Sequence, residues 1–350
     1  MTTSFYKRIK KVKKFDPDEL SVLFTLLNEE KIKTMSASLS GYLAENLTGS
    51  ILKKDGLKDY KTNPYVLITS ASSMKWSDIR DFAKFLFNSK LYAGLETSFG
   101  KQVESQFIPY YPTQENHWIL PPEKVLEAKL LEGLNPEEKA RARAESIWRE
   151  IDASYYINNK RYLISIKSGP SCINDTQVSD MYKAIENNYK KWFDESVRQY
   201  KELEELNIIV GITYGTEKTT NNKENQILVK LLTKNFNDVG DEDGTLRARD
   251  DPRIKVYRLV GTDFWSFIGN PEEPASTPHI FLEILLSLLY SFKKGRLSTL
   301  EEQVNKKITE LSAAIMELSL PPESLPNWIK REFSDSELLW LISAITSYYD

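Results

Sequence analysis

The chain has 350 residues, enough for one large domain or two smaller ones with substantial cores. It is 41% hydrophobic and 28% charged, an ordinary globular balance, and its formal net charge is −3. No apolar run approaches the length of a membrane span, no signal-peptide pattern opens the chain, and the single cysteine, Cys172, excludes intrachain disulfides and zinc-finger frameworks. We therefore expect a cytoplasmic protein.

Residues 1–92 are predicted to form an N-terminal, mostly helical region. Its basic arm, residues 1–15, is either a solvated charged turn of helix or a phosphate contact. Acidic residues after Asp16 predict a helix that runs to about Asn28. Residues 65–69 predict a short buried strand or the start of a helix, and residues 76–88 have helical spacing.

A further helix is predicted over residues 94–104, with the sequence GLETSFGKQVE. Glu104 is at its end. A proline- and aromatic-rich loop and a strongly charged segment follow and lead to the most informative part of the chain.

That part is a predicted β-hairpin with strands over residues 150–157 and 161–167, rich in Ile, Tyr and Leu. Asn158 and Asn159 between them tolerate the positive φ of a two-residue turn. Counting back from this turn places Asp152 opposite Ser165, so that Asp152, Ser165 and Lys167 share one face. A carboxylate and an ammonium held on rigid strands are half of a metal-dependent phosphodiesterase site, in which the carboxylate holds Mg²⁺ and the lysine steadies the attacking water.

The remaining elements alternate between helix and strand. A helix capped by Asn174 or Asp175 is predicted to reach about residue 206, and the apolar run at 207–214 predicts a central buried strand. The other predicted elements are a helix at 225–234, a loop at 236–253 containing an acidic cluster, a strand at 254–260, a helix at 263–268 capped by Thr262, and helices at 278–293, 299–317 and 335–348.

Three arginines in the predicted loop, Arg247, Arg249 and Arg253, are candidates for DNA contact, because arginine recognises guanine bidentately in the major groove. The alternative is that they form salt bridges to Asp250 and Asp251.

The hairpin resembles the core of the PD-(D/E)xK nucleases, and the runs EIDASYYIN and LISIKSGP are similar to type II restriction endonucleases in particular. The phrase SFGKQVE before the hairpin is similar to a glutamate-bearing helix of these enzymes. The resemblance implies an α/β (α+β) fold with a mixed central sheet flanked by helices. The nuclease core would span residues 93–270, and a C-terminal helical region, 271–350, would form a cover or a dimer interface.

The resemblance also implies roles for the site residues. Asp152 would bridge Mg²⁺ ions, Glu104 would bind a second metal or orient its water, and Lys167 would position the nucleophile. The chain departs from the family at Ser165, where the pattern has Asp or Glu and where serine supplies no negative charge. A subgroup that cuts within CCGG or CCNGG sites supplies this carboxylate from the next helix, which indicates Asp180 here, with Glu186 in reserve.

The expected function is that of a Mg²⁺-dependent type II restriction endonuclease from a bacterial or archaeal cell. It would act as a homodimer on a palindromic site in double-stranded DNA, without a nucleotide cofactor. One alternative is a repair or recombination nuclease that recognises DNA structure. Another is a DNA-binding protein in which Ser165 marks an inactive site. The simplest alternative is that Asp152 and Lys167 form only a surface ion pair.

Overall fold

The computed structural model describes residues 16–46, 53–54, 56–76, 78–112, 116–169, 173–216, 223–240, 244–293, 300–318 and 325–349. The basic arm, Cys172 and acidic residues 241–243 lie outside these ranges. Contacts divide the chain into two compact units, one of Met1–Glu29 with Gly100–Leu286 and one of Glu30–Phe99 with Ser287–Asp350. The sequence had predicted three consecutive regions, whereas here the second unit draws on both flanking regions. None of the described helices has the length and apolar character that a membrane span requires.

The first unit contains a mixed six-stranded sheet, as the predicted fold class requires. Its strand order is β1-β2-β3-β6-β5-β4. Strands β2, β3 and β6 run parallel, whereas the edge strands β1 and β4 and the strand β5 are antiparallel to their neighbours. The strands are β1 (Ala153–Ile157), β2 (Lys160–Lys167), β3 (Glu205–Ile212), β4 (Phe236–Asp238), β5 (Leu246–Ala248) and β6 (Ile254–Val260).

The described helices precede, interrupt and follow the strands. They are α1 (Leu20–Thr25), α2 (Glu29–Asn46), α3 (Pro64–Met74), α4 (Ile79–Gln102), α5 (Pro122–Leu130), α6 (Pro136–Glu145), α7 (Asp175–Gln199), α8 (Lys223–Leu232), α9 (Thr262–Gly269), α10 (Ile280–Ser291), α11 (Leu300–Met316), α12 (Asn327–Glu332) and α13 (Asp335–Tyr349).

Helix α7 covers one face of the sheet. Asn174 caps its start, because its side chain accepts a hydrogen bond from the Gln177 N–H while the Gln177 side chain accepts one from the Asn174 N–H. The apolar stripe of α7 packs against alternate side chains of the strands. The buried residues of this layer include Leu163, Val178, Met181, Ile185, Trp192, Ile208, Val210 and Val256.

The opposite face of the sheet is covered by aromatic side chains that find polar partners. Trp118 Nε1 donates a hydrogen bond to the Ile268 carbonyl at 2.9 Å, and Trp265 Nε1 donates one to the Thr213 carbonyl at 2.7 Å. Gly211 on β3 allows this layer to approach, since a Cβ there would lie 2.4 Å from a ring atom of Phe264. These tryptophan side chains can be buried at little cost because each indole N–H has a hydrogen-bond acceptor.

The second unit is helical. Tyr60 and Phe87 place their ring centroids 6.2 Å apart, and the buried Ser36 hydroxyl donates a hydrogen bond to the Ser287 carbonyl. Its apolar core includes Met35, Leu39, Leu67, Phe82, Leu86, Ile308, Leu311 and Ile315.

Several predicted boundaries were wrong. The helix after the hairpin ends at Gln199 rather than near residue 206, because Tyr200 is extended and the chain turns directly into β3. Residues 150–152 precede β1 instead of belonging to it. Residues 65–69, for which a strand or the start of a helix was predicted, confirm the second alternative: they lie in α3, where Asn63 is the cap and Pro64 occupies the first turn.

The segment predicted as a loop at 236–253 contains strands β4 and β5, so that prediction was also wrong. Phe236, Leu246 and Ala248 are buried at alternate positions and pair across the sheet edge. Thr262 is the first residue of α9 rather than its cap, which is Gly261. A short helix, α12, was not predicted.

Candidate active site

The hairpin has the predicted turn and register. Asn158 and Asn159 have φ of 46° and 61°, which few side chains other than asparagine accept. Ile157 pairs with Lys160 and Ala153 with Ile164, as the turn demands. Alternation along β2 then places Ser165 and Lys167 on the face of Leu163, the face covered by α7.

Asp152 is anchored immediately before β1. Its N–H donates to the Ile164 carbonyl at 2.8 Å, and its Oδ2 accepts a hydrogen bond from the Ile166 N–H at 2.7 Å. Burial raises the pKa of the Asp152 carboxyl above its ordinary value, while the Ile166 N–H and the charges of Lys167 and Lys124 act to lower it. The carboxylate is therefore held in one orientation beside two ammonium groups.

Glu104 belongs to the same charged cluster. It lies on the π-helical turn Val103–Phe107 that continues α4, an irregularity that is common at functional sites. The residue is exposed at the surface, but partial loss of hydration and, to a smaller extent, the charge of Asp152 raise the pKa of its carboxyl from 4.5 to about 7. Lys124, Lys167 and Lys101 act in the opposite direction. The structure thus brings together Glu104, Asp152 and Lys167.

Ser165 is fully buried at the position where the family pattern has an acid. Its hydroxyl has no hydrogen-bond partner within the described part of the chain. A buried hydroxyl without a partner is costly, so this oxygen is suited to an additional ligand.

Two charged neighbours were missed by the sequence prediction. Glu150 Oε2 lies 3.7 Å from Lys167 Nζ, and its charge raises the pKa of Asp152. Lys124 on α5 donates to the carbonyls of Ile151 at 2.6 Å and Arg149 at 3.3 Å. The spacing of Glu150, two residues before Asp152, was an available signal, whereas Lys124 is brought in only by tertiary structure.

The predicted third carboxylate, Asp180, lies on an exposed position of α7. In the described residues, no hydrogen bond or ion pair joins it to Asp152, Lys167 or Glu104. A carboxylate oxygen of the reserve candidate, Glu186, lies 4.0 Å from the Nζ of Lys234, two residues beyond the end of α8. The role of Asp180 stays a prediction.

The three candidate DNA-contacting arginines differ in their surroundings. Arg253 donates to both oxygens of Asp251, at 2.9 and 2.7 Å, and lies over the Phe193 ring, which is the predicted salt-bridge alternative. Arg249 donates to the carbonyls of Phe236 and Leu232 and fixes the sheet edge. Arg247 lies on β5 and lines a cavity of about 390 Å³.

The residues of the cluster suit a hard divalent cation. The donors are carboxylate and hydroxyl oxygens, which Mg²⁺ prefers, and the repulsion between Glu104 and Asp152 is what a cation would relieve. The unpartnered buried hydroxyl of Ser165 is a further oxygen on the same face. In the ranges that the structure covers, no three His, Cys, Asp or Glu side chains already converge as a metal site.

Comparison with known families gives an independent result. Residues 126–295 match the model of the family described as Type II restriction endonuclease EcoO109I. The match includes the hairpin, Asp152, Lys167 and α7, but neither Glu104 nor Lys124. No curated protein matches the chain. The hairpin motif and the mixed sheet agree with this match, and the region over residues 126–295 is similar to the type II restriction endonucleases.

Proposed function

We propose that this protein is a Mg²⁺-dependent, site-specific deoxyribonuclease of a restriction-modification system. It hydrolyses phosphodiester bonds in double-stranded DNA at a short palindromic sequence and leaves 5′-phosphate ends. The observation that supports this most is the arrangement of Asp152 and Lys167 on one face of the hairpin with Glu104 beside them.

Asp152 and Glu104 would hold the cation, and Ser165 offers a third oxygen. When bound, Mg²⁺ would supply charge neutralisation at the phosphate and a more acidic water. Lys167 would donate hydrogen bonds that orient the attacking water and stabilise the developing negative charge on the phosphate oxygens. Asp180 remains a candidate for completing the cation's ligands.

The local charge also favours a DNA substrate, although the whole chain is slightly acidic. Lys101, Lys124 and Lys167 all act to lower the pKa of Glu104, and Lys167 and Lys124 act in the same way on Asp152. A local basic environment, rather than a basic protein, is what a phosphate backbone needs.

The test is to incubate the purified protein with phage DNA in two separate reactions, one that contains Mg²⁺ and one that contains excess EDTA. We expect sharp fragments with Mg²⁺ and intact DNA with EDTA. Lys167→Met should abolish the fragments, whereas Lys191→Met, an exposed lysine on α7, should not.

Other outcomes favour the alternatives. DNA binding without Mg²⁺-stimulated cleavage would identify an inactive site. The observation that favours this alternative is Ser165, a neutral residue where the family pattern has an acid. Cleavage of branched DNA without discrete bands from a plain plasmid would indicate a structure-specific nuclease.

A further inference from the structure

Lys167 has an acidic partner that the family pattern does not provide. Glu150 Oε2 lies 3.7 Å from Lys167 Nζ, and the two side chains are only 19% and 18% exposed. A partly buried ion pair of this kind restricts the lysine more than an exposed pair does, because fewer water molecules compete for the ammonium group.

The backbone that carries Glu150 is held from both sides. The Arg149 N–H donates to the Ser146 carbonyl, and the Ile151 N–H donates to the Trp148 carbonyl. Lys124 Nζ then bridges the carbonyls of Arg149 and Ile151, the residues on either side of Glu150. The position of the Glu150 Cα is therefore fixed independently of its contact with Lys167.

The strand itself lacks this negative charge. Ser165 precedes Lys167 by two residues on the same face, is fully buried and is neutral. A carboxylate at that position would lie beside the lysine, and in this chain Glu150 brings one from the segment before β1 instead.

We propose that Glu150 is a positioning residue, which holds the Lys167 ammonium group at the end of β2 through its carboxylate. This inference rests on the proposed nuclease function. It differs from the expectation for Asp180, because Glu150 would act on the lysine and not as a ligand of the cation.

The experiment compares wild type, Glu150→Gln and Glu150→Asp in steady-state DNA cleavage over a range of Mg²⁺ concentrations. Glu195→Gln on the exposed side of α7 is the matched control. Thermal unfolding of each variant shows whether the fold is retained.

We expect Glu150→Gln to lower kcat by about 10- to 100-fold, the usual cost of losing a supporting contact in a metal-dependent site. The KM for DNA and the Mg²⁺ concentration for half-maximal rate should stay within about twofold of the wild-type values. Glu150 contacts Lys167 and neither of the proposed cation ligands, Asp152 and Glu104. Glu150→Asp, which keeps the charge on a shorter side chain, should fall between wild type and Glu150→Gln. If Glu150→Gln fails to fold, a reduced kcat of folded Glu150→Asp supports the inference and an unchanged kcat overturns it.

The inference is overturned if folded Glu150→Gln cleaves like wild type. It is also overturned if additional Mg²⁺ restores the rate of Glu150→Gln, since Glu150 would then be a cation ligand. A wild-type protein that never cleaves DNA would instead contradict the proposed function, whereas an active wild type with an unaffected Glu150→Gln contradicts this inference alone.

Discussion

At the scale of single residues, the site is a balance of like and unlike charges. Asp152 and Glu104 are close enough for the charge of one to raise the pKa of the other, and both are partly withdrawn from water. Lys167 and Lys124 offset this repulsion without forming a direct salt bridge to Asp152 among the described contacts. The pair of carboxylates is thus electrostatically prepared for a cation.

This balance predicts a pH-dependent affinity for Mg²⁺. The pKa of Glu104 is raised to about 7, so below that pH a proton occupies the carboxyl and must leave before a cation binds. Affinity should therefore rise with pH, by up to about tenfold per unit below pH 7, and level off above it. Calorimetric titration with Mg²⁺ at a series of pH values measures this.

Glu104→Gln should bind Mg²⁺ more weakly, and its Mg²⁺ affinity should lose most of its dependence on pH, because glutamine has no proton to release. Glu195→Gln should behave like wild type. An unchanged pH dependence in Glu104→Gln would show that Glu104 is not a ligand.

At the scale of elements, the hairpin turn determines which residues share a face. Both turn residues have positive φ, and a different loop length would move Asp152 to the other face. The Asn159 carbonyl also accepts the N–H groups of Glu204 and Glu205 and so connects the turn to β3.

The turn can be tested with a matched pair of substitutions at Asn158. Asn158→Gly and Asn158→Ala both lose the side-chain hydrogen bond to Glu272, but only alanine is strained at positive φ. Asn158→Ala should be less stable than Asn158→Gly by about 1 kcal/mol in urea unfolding. Equal stability would mean that the turn relaxes to another conformation.

Arg161, on β2, connects this strand to α5 and α7. It is fully buried, binds Glu123 on α5 through two nitrogens at 2.7 and 2.8 Å, and donates to Ser196 on α7. Its guanidinium also lies over the rings of Trp148 and Tyr200. The arginine thereby fixes α5, with Lys124, relative to the site.

Arg161→Met should lower the free energy of unfolding by about 3 kcal/mol, because it removes these hydrogen bonds and leaves the Glu123 carboxylate without its partner. Arg198→Met, at an exposed arginine of α7, should change it by no more than about 0.5 kcal/mol. Denaturant unfolding of both variants measures the difference. Similar values would show that the buried contacts contribute little.

The sequence predicted those parts of the site that depend on local rules. The two asparagines, the alternation of the strands and the cap at Asn174 are local features, and they were enough to place Asp152, Ser165 and Lys167 together. Strands β4 and β5 were missed because a strand of three residues contains little periodic signal. Lys124 was missed because only three-dimensional contacts bring it to the site, whereas the spacing of Glu150 from Asp152 was a local signal that was overlooked.

At the scale of the whole molecule, the family match is confined to residues 126–295, whereas Glu104 comes from outside it. The first unit nevertheless contains both, since it includes Gly100–Leu286. The residues of the proposed site, Glu104, Asp152 and Lys167, therefore all lie within the first unit.

A dimer that cuts a palindromic site should cleave both strands in one encounter, since each copy presents one active site to one strand. We expect wild type to sediment as a dimer and to convert supercoiled plasmid directly to linear DNA. A monomer that accumulates nicked circles would contradict the proposed assembly.

The central claim is that Asp152 is part of a Mg²⁺-dependent phosphodiesterase site, and the rate of DNA cleavage by Asp152→Asn tests it most directly. The substitution keeps the shape of the side chain and removes its charge, so we expect an unchanged unfolding temperature and a cleavage rate at least about a thousandfold lower. Asp194→Asn, at an exposed position of α7, should cleave like wild type. A folded Asp152→Asn protein that still cuts DNA within about tenfold of the wild-type rate would contradict the account.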